Sequence, residues 1–558
     1  MKKIILYLLL VMLFSAVVFA NNLSEITTFG TGAYPRGIAA ADLNGNGVKE
    51  IIVANFGAQT LIGQDPVTPA NSSISIFSKD GAGLKSVVQQ SGKSPRGIAA
   101  GDLNNDGKDE FVVSNYDDGT VTVYKGNAPM TLTAGKHPVG VAIGDVNNDG
   151  LNDIAVAVYS ENKVVLFLAD AKGGYTRYEA LVPGSPTDVA IGEIGGAKVI
   201  VSANYSAASV SILSFNGTSL EKRNDIAVGG GPCKVRIADV TGDQINDIIT
   251  ANFYDNTVSV IPSGTGKAVA YALGGIRPNG MTIADVNGDK LMDVIVANRD
   301  DDTVDILLQK NGVLVLTKTI KVSDDKDKTF GPVEVVAGDF NGDGLTDIAF
   351  THMRTNSVKV IYQQLPNAPA VISSTNPSQD AWYASTKASF TLSAEDLNGV
   401  DGYLYTMSKE KGAFSPATAK LSAASVIEIP SLESGTYYFT AATIDKAGNT
   451  GTAVTEYKVN ITEEISGKNV YNFPNPCSGP TTLRFAMSKS EDVKLIISDA
   501  NGSLVWHKEL PATSVIAGVN YIVWNLTNDN GVKVSNGVYN FKIITPEKTI
   551  NKKIAVVK

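Results

Sequence analysis

Residues 145–153 read DVNNDGLND and lead directly into the apolar stretch IAVAVY at residues 154–159. Oxygen-bearing side chains occupy positions 1, 3, 5 and 9 of this nine-residue phrase, and a glycine stands at position 6. The apolar stretch that follows has the length and composition of a buried β-strand. A single phrase of this kind is typical of an ordinary turn, in which Asp and Asn side chains bond to the nearby backbone.

The phrase recurs, complete or shortened, in seven units, each of which begins with a proline and a short segment rich in small residues. The units begin at Pro35, Pro95, Pro138, Pro186, Pro232, Pro278 and Pro332, and their lead acidic residues are Asp42, Asp102, Asp145, Glu193, Asp239, Asp285 and Asp339. A period near ~45 residues fits four short strands and their turns, which is one blade of a β-propeller. We name the four strands of each unit A to D.

The first and last units indicate how the propeller closes. The seventh unit ends after strand C, near Leu365, whereas residues 24–33 form a spare strand ahead of the first unit. We predict that the spare strand completes the seventh blade, which leaves no exposed sheet edge between the first and last blades. The alternative is an open stack of β units, in which that strand would have no role.

The spacing of the oxygen-bearing residues predicts calcium loops. Hard cations such as Ca²⁺ bind six to eight oxygens, and position 7 can add its backbone carbonyl. An EF-hand ends in a Glu at position 12 between helices, whereas here the last acid stands at position 9 before a strand. The predicted ligands are Asp42, Asn44, Asn46, Glu50; Asp102, Asn104, Asp106, Glu110; Asp145, Asn147, Asp149, Asp153; Asp239, Thr241, Asp243, Asp247; Asp285, Asn287, Asp289, Asp293; and Asp339, Asn341, Asp343, Asp347.

Two units depart from this pattern. The fourth, EIGGAKVI at residues 193–200, has lost its later carboxylates and is predicted to be metal-free. The first has two carboxylates and is predicted to bind calcium most weakly. The alternative for every unit is that Asp and Asn only stabilise tight turns. That alternative does not account for an acid at position 9, beyond the turn.

The seven units resemble the FG-GAP/VCBS repeats of bacterial surface proteins and are similar to the calcium-bearing β-propeller of integrin α subunits. The resemblance covers residues 24–365. It implies a ligand-binding or adhesive propeller and leaves the ligand open.

The face opposite the calcium loops carries aromatic, amide and cationic residues at its B–C and D–A turns. Such a rim predicts a site for a partner protein or a glycan at the cell surface. The alternative is that the asparagines cap turns and the aromatic rings pack between blades, because ring positions recur in any propeller. The candidate ligand-face residues are Phe56, Tyr116, Tyr159, Tyr205, Phe253 and Arg299 at B–C turns, and Arg36, Arg96 and Arg277 at D–A turns.

The rest of the chain predicts two Ig-like β-sandwiches, so that the fold class is all-β with a seven-bladed propeller at residues 21–365. Residues 366–466 resemble a bacterial Ig-like domain through the ending GTYYFTAATIDKAGN. Residues 467–558, with NVYNFPNPCSGPTTLRFAM and the later NDNG turn, resemble the FlgD-type Ig-like fold and the C-terminal sorting domains of type IX secretion. The second resemblance implies contact with secretion machinery, and it leaves open whether the domain is cleaved or retained.

Residues 1–20 have the pattern of a signal peptide: Lys2 and Lys3, an apolar core, and small residues ahead of a cleavage site. We therefore expect an exported protein, secreted or on the cell surface, with no membrane span after signal removal. The formal net charge of −9 argues against nucleic acid as a partner. Only two cysteines occur, so a disulfide framework is not expected.

The sequence contains no recognisable catalytic motif. None of its three histidines stands beside a nucleophile or metalloprotease motif, and the metal pattern already accounts for most carboxylates of the repeats. We predict a non-catalytic binding protein. The alternative is a secreted, polysaccharide-acting, lyase-like enzyme that uses the propeller face.

Overall fold

The computed structural model describes residues 26–557, apart from residues 58–71, 82, 127, 324–330, 380, 384–386, 395, 397–398, 447–448, 463–467 and 488. The predicted signal peptide lies outside the described residues. The chain divides into two compact units, one at Leu23–Gln364 and the other containing Leu365–Lys558. Within the described ranges, no helix has the length and apolar character needed to cross a membrane.

The first unit is built from four-stranded antiparallel sheets, and its described residues form seven of them, one for each repeat unit. We call these sheets blades and number them by unit. Blade 1 comprises β2 (Pro35–Ala41), β3 (Glu50–Asn55), β4 (Ser73–Asp80) and β5 (Gly83–Gln90); blade 2, β6 (Pro95–Gly101), β7 (Glu110–Asn115), β8 (Thr120–Tyr124) and β9 (Met130–Thr133); blade 3, β10 (Pro138–Gly144), β11 (Asp153–Val158), β12 (Lys163–Ala169) and β13 (Tyr175–Leu181); and blade 4, β14 (Pro186–Ile194), β15 (Ala197–Asn204), β16 (Ser209–Phe215) and β17 (Leu220–Ala227).

The remaining blades follow the same order of strands. Short 3₁₀ helices lie at Tyr159–Glu161, Tyr205–Ala207 and Pro262–Gly264. Blade 5 comprises β18 (Pro232–Ala238), β19 (Asp247–Asn252), β20 (Thr257–Ile261) and β21 (Val269–Ala272); blade 6, β22 (Pro278–Ala284), β23 (Asp293–Asn298), β24 (Thr303–Lys310) and β25 (Val313–Lys321); and blade 7, β26 (Pro332–Gly338), β27 (Asp347–His352), β28 (Ser357–Ile361) and β1 (Thr27–Gly30).

Burial differs from strand to strand within a blade. Strand B is buried along its whole length in five blades, such as β11 in blade 3, whereas the outermost strand β13 is mostly exposed. Apolar side chains on both faces of a strand are expected where the sheet is covered on both sides. Here the neighbouring blades provide that cover, because one apolar cluster lies between each pair of successive blades.

The first and last blades are joined in the same way. β1 pairs antiparallel with β28, with Thr27 opposite Val360 and Gly30 opposite Ser357. An apolar cluster containing Phe77 of blade 1 and Phe340 of blade 7 lies between the two sheets. The prediction that the strand ahead of the first unit completes the last blade is confirmed, and the open stack of β units is excluded.

The seven A strands lie next to one another around a central channel. Each contacts its neighbours in sequence, and β26 contacts β2. The A–B pairing shifts register just after the leading proline in all seven blades, which is the signature of a β-bulge. At the second residue after that proline, a Cβ on Gly97 would lie 2.1 Å from the carbonyl oxygen of Val139 in the next blade. Glycine occupies this place in four blades, as Gly37, Gly97, Gly140 and Gly280.

The second unit holds two β-sandwich domains with separate cores, one around Phe390 and Phe439 and the other around Trp524 and Phe541. The first has sheets of order β29-β31-β34 and β30-β36-β35-β32-β33, formed by β29 (Ala370–Ser373), β30 (Trp382–Tyr383), β31 (Ala388–Ser393), β32 (Val400–Ser408), β33 (Lys420–Ser422), β34 (Val426–Ile429), β35 (Gly435–Asp445) and β36 (Thr455–Ile461).

The second sandwich has sheets of order β37-β38-β41 and β40-β39-β42-β43. A 3₁₀ helix lies at Ala512–Ser514. The predicted all-β class is therefore confirmed for both units. The strands of this sandwich are β37 (Tyr471–Phe473), β38 (Thr481–Met487), β39 (Val493–Ser498), β40 (Leu504–Leu510), β41 (Gly518–Trp524), β42 (Gly537–Ile544) and β43 (Thr549–Val556).

Replacing Gly97 with alanine is expected to destabilise the propeller, because the new Cβ would meet a backbone atom that cannot move aside. We expect a loss of about 1–3 kcal/mol in the free energy of unfolding, as for other overpacked sites, measured by denaturant unfolding monitored with circular dichroism. Gly83→Ala is the matched control, since the space around that strand glycine is open. Equal stability of the two variants would contradict the close approach of the A strands.

Candidate functional site

Six A–B loops share one pattern of side-chain to backbone hydrogen bonds. In blade 3, the Asp145 carboxylate accepts the N–H of Gly150 at 2.9 Å, and the Asp149 carboxylate accepts the N–H of Leu151 at 2.8 Å. The same two bonds, from position 6 to position 1 and from position 7 to position 5, occur in the other five loops. Bonds of the turn-stabilising type therefore shape these loops, as the alternative to calcium proposed.

The acid at position 9 anchors the loop to the sheet. Asp153 is fully buried, and its carboxylate accepts the N–H of Val146 at 2.9 Å and the N–H of Ala169 at 2.8 Å. In all six loops the position 9 carboxylate accepts the backbone N–H of position 2. In blades 3, 5, 6 and 7 it also accepts a backbone N–H at the end of strand C. Sequence reasoning took an acid at position 9 as a sign of metal alone. That argument was incomplete, because the same acid ties strand A to strand C.

The side chain at position 3 donates a hydrogen bond to the acid at position 5 or at position 9, and in blade 2 to both. In blade 2, the amide of Asn104 donates to Asp106 at 3.1 Å and also to Glu110. At least one such bond occurs in each of the six loops. Within the described part of the chain, no three His, Cys, Asp or Glu side chains form a group that could hold a metal ion. A cation in these loops would therefore also need amide and backbone oxygens.

The loop carboxylates are crowded as well as buried. Burial, together with the nearby carboxylates at positions 5 and 1, raises the pKa of Asp153 to about 6 and the pKa of Asp293 and Asp347 to about 7. A nearby cation would favour the charged form of these acids. Carboxylate, amide and backbone oxygens are also the donors that hard cations take. The donor set thus fits a divalent ion such as Ca²⁺.

One detail of the six loops differs from the sequence analysis, whereas the shortened fourth loop agrees with it. Glycine is not required at position 6: Gln244 in blade 5 and Lys290 in blade 6 stand there with φ of 68° and 69°. Their N–H bonds to the acid at position 1 hold a left-handed conformation that costs such residues about 1–2 kcal/mol. In blade 4 the loop is replaced by a two-residue turn, and Glu193 pairs with Lys198 at 3.3 Å.

Position 8 joins loops of neighbouring blades, which the sequence analysis missed. The side-chain amide of Asn152 donates to the backbone carbonyl of Asp102 in the preceding blade at 2.6 Å. The signal in the sequence was the Asp or Asn at position 8 of blades 2, 3 and 5. Equivalent bonds run from the Asn246 side chain to Glu193 and from the backbone N–H groups of Asp109 to Asp42 and of Lys49 to Asp339.

A cavity of about 310 Å³ opens at the other end of the A strands, where the D–A and B–C turns lie. All seven blades contribute to its wall through the residue that follows the leading proline. The β-bulge at this point sets the direction of these residues. They are Arg36, Arg96, Val139, Thr187, Cys233, Asn279 and Val333.

Seven of the nine candidate ligand-face residues line this cavity, and the other two support them. The lining set is Arg36, Arg96, Tyr116, Tyr159, Tyr205, Phe253 and Arg299. Phe56 is buried beneath Arg36, with the guanidinium carbon 4.9 Å from the ring centre. Arg277 lies over Phe253 at 5.5 Å and pairs with Asp300 at 2.8 Å.

The asparagines of the B–C turns have a structural role, as the alternative proposed. The side-chain amide of Asn115 donates to the hydroxyls of Thr120 and Thr122 on strand C at 3.1 and 2.8 Å. The same bridge occurs at Asn55, Asn204, Asn252 and Asn298. These side chains connect strand B to strand C by hydrogen bonds.

A buried ion network adjoins the cavity. The three blades without glycine at the second residue after the proline carry Asp188, Lys234 and Glu334 there. Lys234 forms an ion pair with Glu334 and lies 4.0 Å from Asp188, which also pairs with Arg236 at 2.8 Å. The two acids are almost fully buried. Charged side chains thus stand at the position in blades 4, 5 and 7 where the other four blades have glycine.

Parts of the chain match two known families. Residues 102–156, 239–296 and 285–350 match the FG-GAP-like repeat, and residues 477–547 match the FlgD Ig-like domain. The three repeat matches begin at the lead acids of blades 2, 5 and 6. No curated protein matches the chain.

Solved structures of similar fold share little sequence with this chain. BBS1N in complex with ARL6DN is 13% identical, with 61% of this chain and 96% of that chain covered and a TM-score of 0.45. A functionally unknown protein from Desulfotomaculum acetoxidans is 15% identical, with coverages of 52% and 88% and a TM-score of 0.39. The family matches show three FG-GAP-like repeats and a FlgD Ig-like domain in the chain. The repeats and their propeller-like fold suggest a protein-binding or structural module.

Proposed function

We propose that this chain is an exported, non-catalytic binding or adhesion protein, secreted or on the cell surface, whose calcium-stabilised propeller binds a protein or glycan. The observation that carries the binding role is the cavity at the end of the channel. All seven blades build its wall, and its polar groups converge on one concave space, as ligand sites do.

Calcium is proposed as the structural ion of the six A–B loops. In blade 3 it would be held by Asp145, Asn147, Asp149 and Asp153, with a backbone oxygen at position 7. When bound, the ion would supply positive charge among crowded carboxylates. Because position 8 joins each of several loops to the preceding blade, a more rigid loop would also stabilise the contact between blades.

Export and surface display are proposed from the signal-like N-terminus and the C-terminal domain. The match of residues 477–547 to the FlgD Ig-like domain supports the sandwich fold there. The resemblance of the same region to type IX sorting domains supports contact with secretion machinery. The resemblance of the repeat units to the propeller of integrin α subunits supports an adhesive role.

A lyase-like enzyme that acts on polysaccharides with the same face is the competing proposal. The two are separated by incubating the mature chain with a panel of acidic and neutral polysaccharides. Binding without new reducing or unsaturated ends supports the binding protein. Release of such ends, with loss of release on substitution of a cavity residue, would establish the enzyme instead.

Chelation of calcium is expected to lower the melting temperature of the propeller by several degrees. Extracellular sites bind calcium at about 10⁻⁴ to 10⁻³ M, so about 5 mM calcium should add roughly 1–2 kcal/mol for each well-formed site. Calorimetry with calcium, with magnesium and with a chelator measures the shift. Identical melting in calcium and chelator would remove the ion from the proposal.

Asp145→Ala is expected to remove the part of the calcium-dependent rise in melting temperature that the blade 3 loop contributes, about one sixth if the six sites are equivalent, whereas Glu193→Ala should preserve the whole rise. Asp145 belongs to a complete loop, while Glu193 stands at the two-residue turn of blade 4. Asp145 also accepts backbone N–H groups, so its variant should be less stable even in chelator. The diagnostic quantity is therefore the difference between the two solutions. An equal calcium response in both variants would count against metal binding in the blade 3 loop.

A further inference from the structure

The cavity presents guanidinium groups that the protein itself does not neutralise. Arg36 of blade 1 and Arg96 of blade 2 stand side by side in its wall. In the described part of the chain, neither is ion-paired, and the Nε of Arg36 is buried without a hydrogen-bond partner. Burial, together with the positive charges of Arg96 and Arg299, lowers the pKa of Arg36 to about 9. A cation in this setting gains from an added anion.

The aromatic rings near the cavity serve mainly as supports for these cations. Arg36 lies over Phe56, Arg96 lies over Tyr116 at 5.1 Å, and Arg299 lies over Phe253 at 4.8 Å. The ring of Tyr116 is also stacked against His137, with 4.3 Å between ring centres. Ring faces covered by guanidinium and imidazole groups are not open to a sugar ring. At these three rings the site therefore offers N–H donors rather than stacking platforms, while Tyr159 and Tyr205 also line the cavity.

The charge balance of the cavity is opposite to that of the whole protein. Four cationic residues, Arg36, Arg96, Lys234 and Arg299, line it against one carboxylate, Glu334. Glu334 is paired with Lys234, and Arg299 is paired with Asp300 at 2.7 Å, so Arg36 and Arg96 are the cations of the described lining that no ion pair neutralises. The chain as a whole carries a formal charge of −9. A positive concave site on an acidic protein selects negatively charged partners and orients them during encounter.

We propose that the cavity binds the carboxylate of a Glu or Asp side chain that a partner protein inserts into the end of the channel. Arg36 and Arg96 would donate the paired N–H groups that a carboxylate accepts. The volume of about 310 Å³ suits an inserted side chain and its neighbours. This inference rests on the proposed binding role and names the chemistry of the partner.

The test measures binding of a fluorescein-labelled hexaglutamate peptide to the full mature chain by fluorescence anisotropy. Hexaglutamate should bind at least tenfold more tightly than a matched hexaglutamine peptide. Arg36→Gln and Arg96→Gln should each weaken binding by about tenfold or more, because charge-assisted hydrogen bonds are lost. Binding should weaken as sodium chloride rises from about 50 to 300 mM.

Arg223→Gln is the matched control, since Arg223 lies on the outermost strand of blade 4, outside the cavity lining, and should not change binding. Arg36→Lys and Arg96→Lys keep the charge and should bind hexaglutamate with intermediate affinity. These lysine variants test the proposal even where a glutamine variant fails to fold. Melting curves confirm that each variant is folded.

Equal affinity for the two peptides, or wild-type affinity in folded Arg36→Gln and Arg96→Gln variants, would overturn the proposal. Binding of trigalacturonate in place of hexaglutamate would also overturn it and would assign the cavity to an acidic glycan. In that case the proposed binding role stands. A chain that cleaves polysaccharide at this face would instead remove the binding role itself.

Discussion

The structure depends on the close approach of seven inner strands around one channel. Where the backbone of one strand crosses the next at the distance seen for Gly97 and Val139, no side chain fits. Glycine occupies this position in blades 1, 2, 3 and 6. The other three blades carry Asp188, Lys234 and Glu334 there, and Lys234 pairs with Glu334 and lies 4.0 Å from Asp188. The adjacent residue in each blade is then directed to the cavity, so the same bulge that permits the packing also determines which residues a ligand would meet.

The loops that stabilise the propeller and the proposed recognition site lie at opposite ends of these strands. At one end, the acids of the A–B loops hold turns, tie strand A to strand C, and link several loops to the preceding blade. At the other end, the asparagines secure the strands, which leaves the residues after each proline free to vary. Arg36, Thr187 and Val333 share one structural place but have different chemistry. A ring of this kind can acquire a new specificity without a change in the loops that hold it together.

Much of the fold was predictable because the chain repeats itself. The leading prolines mark the start of every A strand. Because the seventh unit lacks a strand D of its own, its strand C, β28, was the expected partner of the spare strand β1. The candidate cavity residues were also predictable as a set, since turns at one end of a propeller must meet. Contacts between blades were not: the pairing of Lys234 with Glu334 joins two units that are not neighbours in sequence. The second role of the acid at position 9 was missed because the pattern shows a ligand spacing and not which backbone groups lie within reach.

The pairing of β1 with β28 has a consequence for the order of folding. Its two halves stand at opposite ends of the propeller sequence, so blade 7 stays incomplete, with an open edge, until residues beyond Ile361 have been made. Long-range pairing of this kind forms late and slowly, because a large loop must close before any contact is gained. The ring is thus completed after the rest of the propeller has been synthesised. Until then, β1 has no partner strand, and its unpaired backbone groups are available for pairing with another molecule.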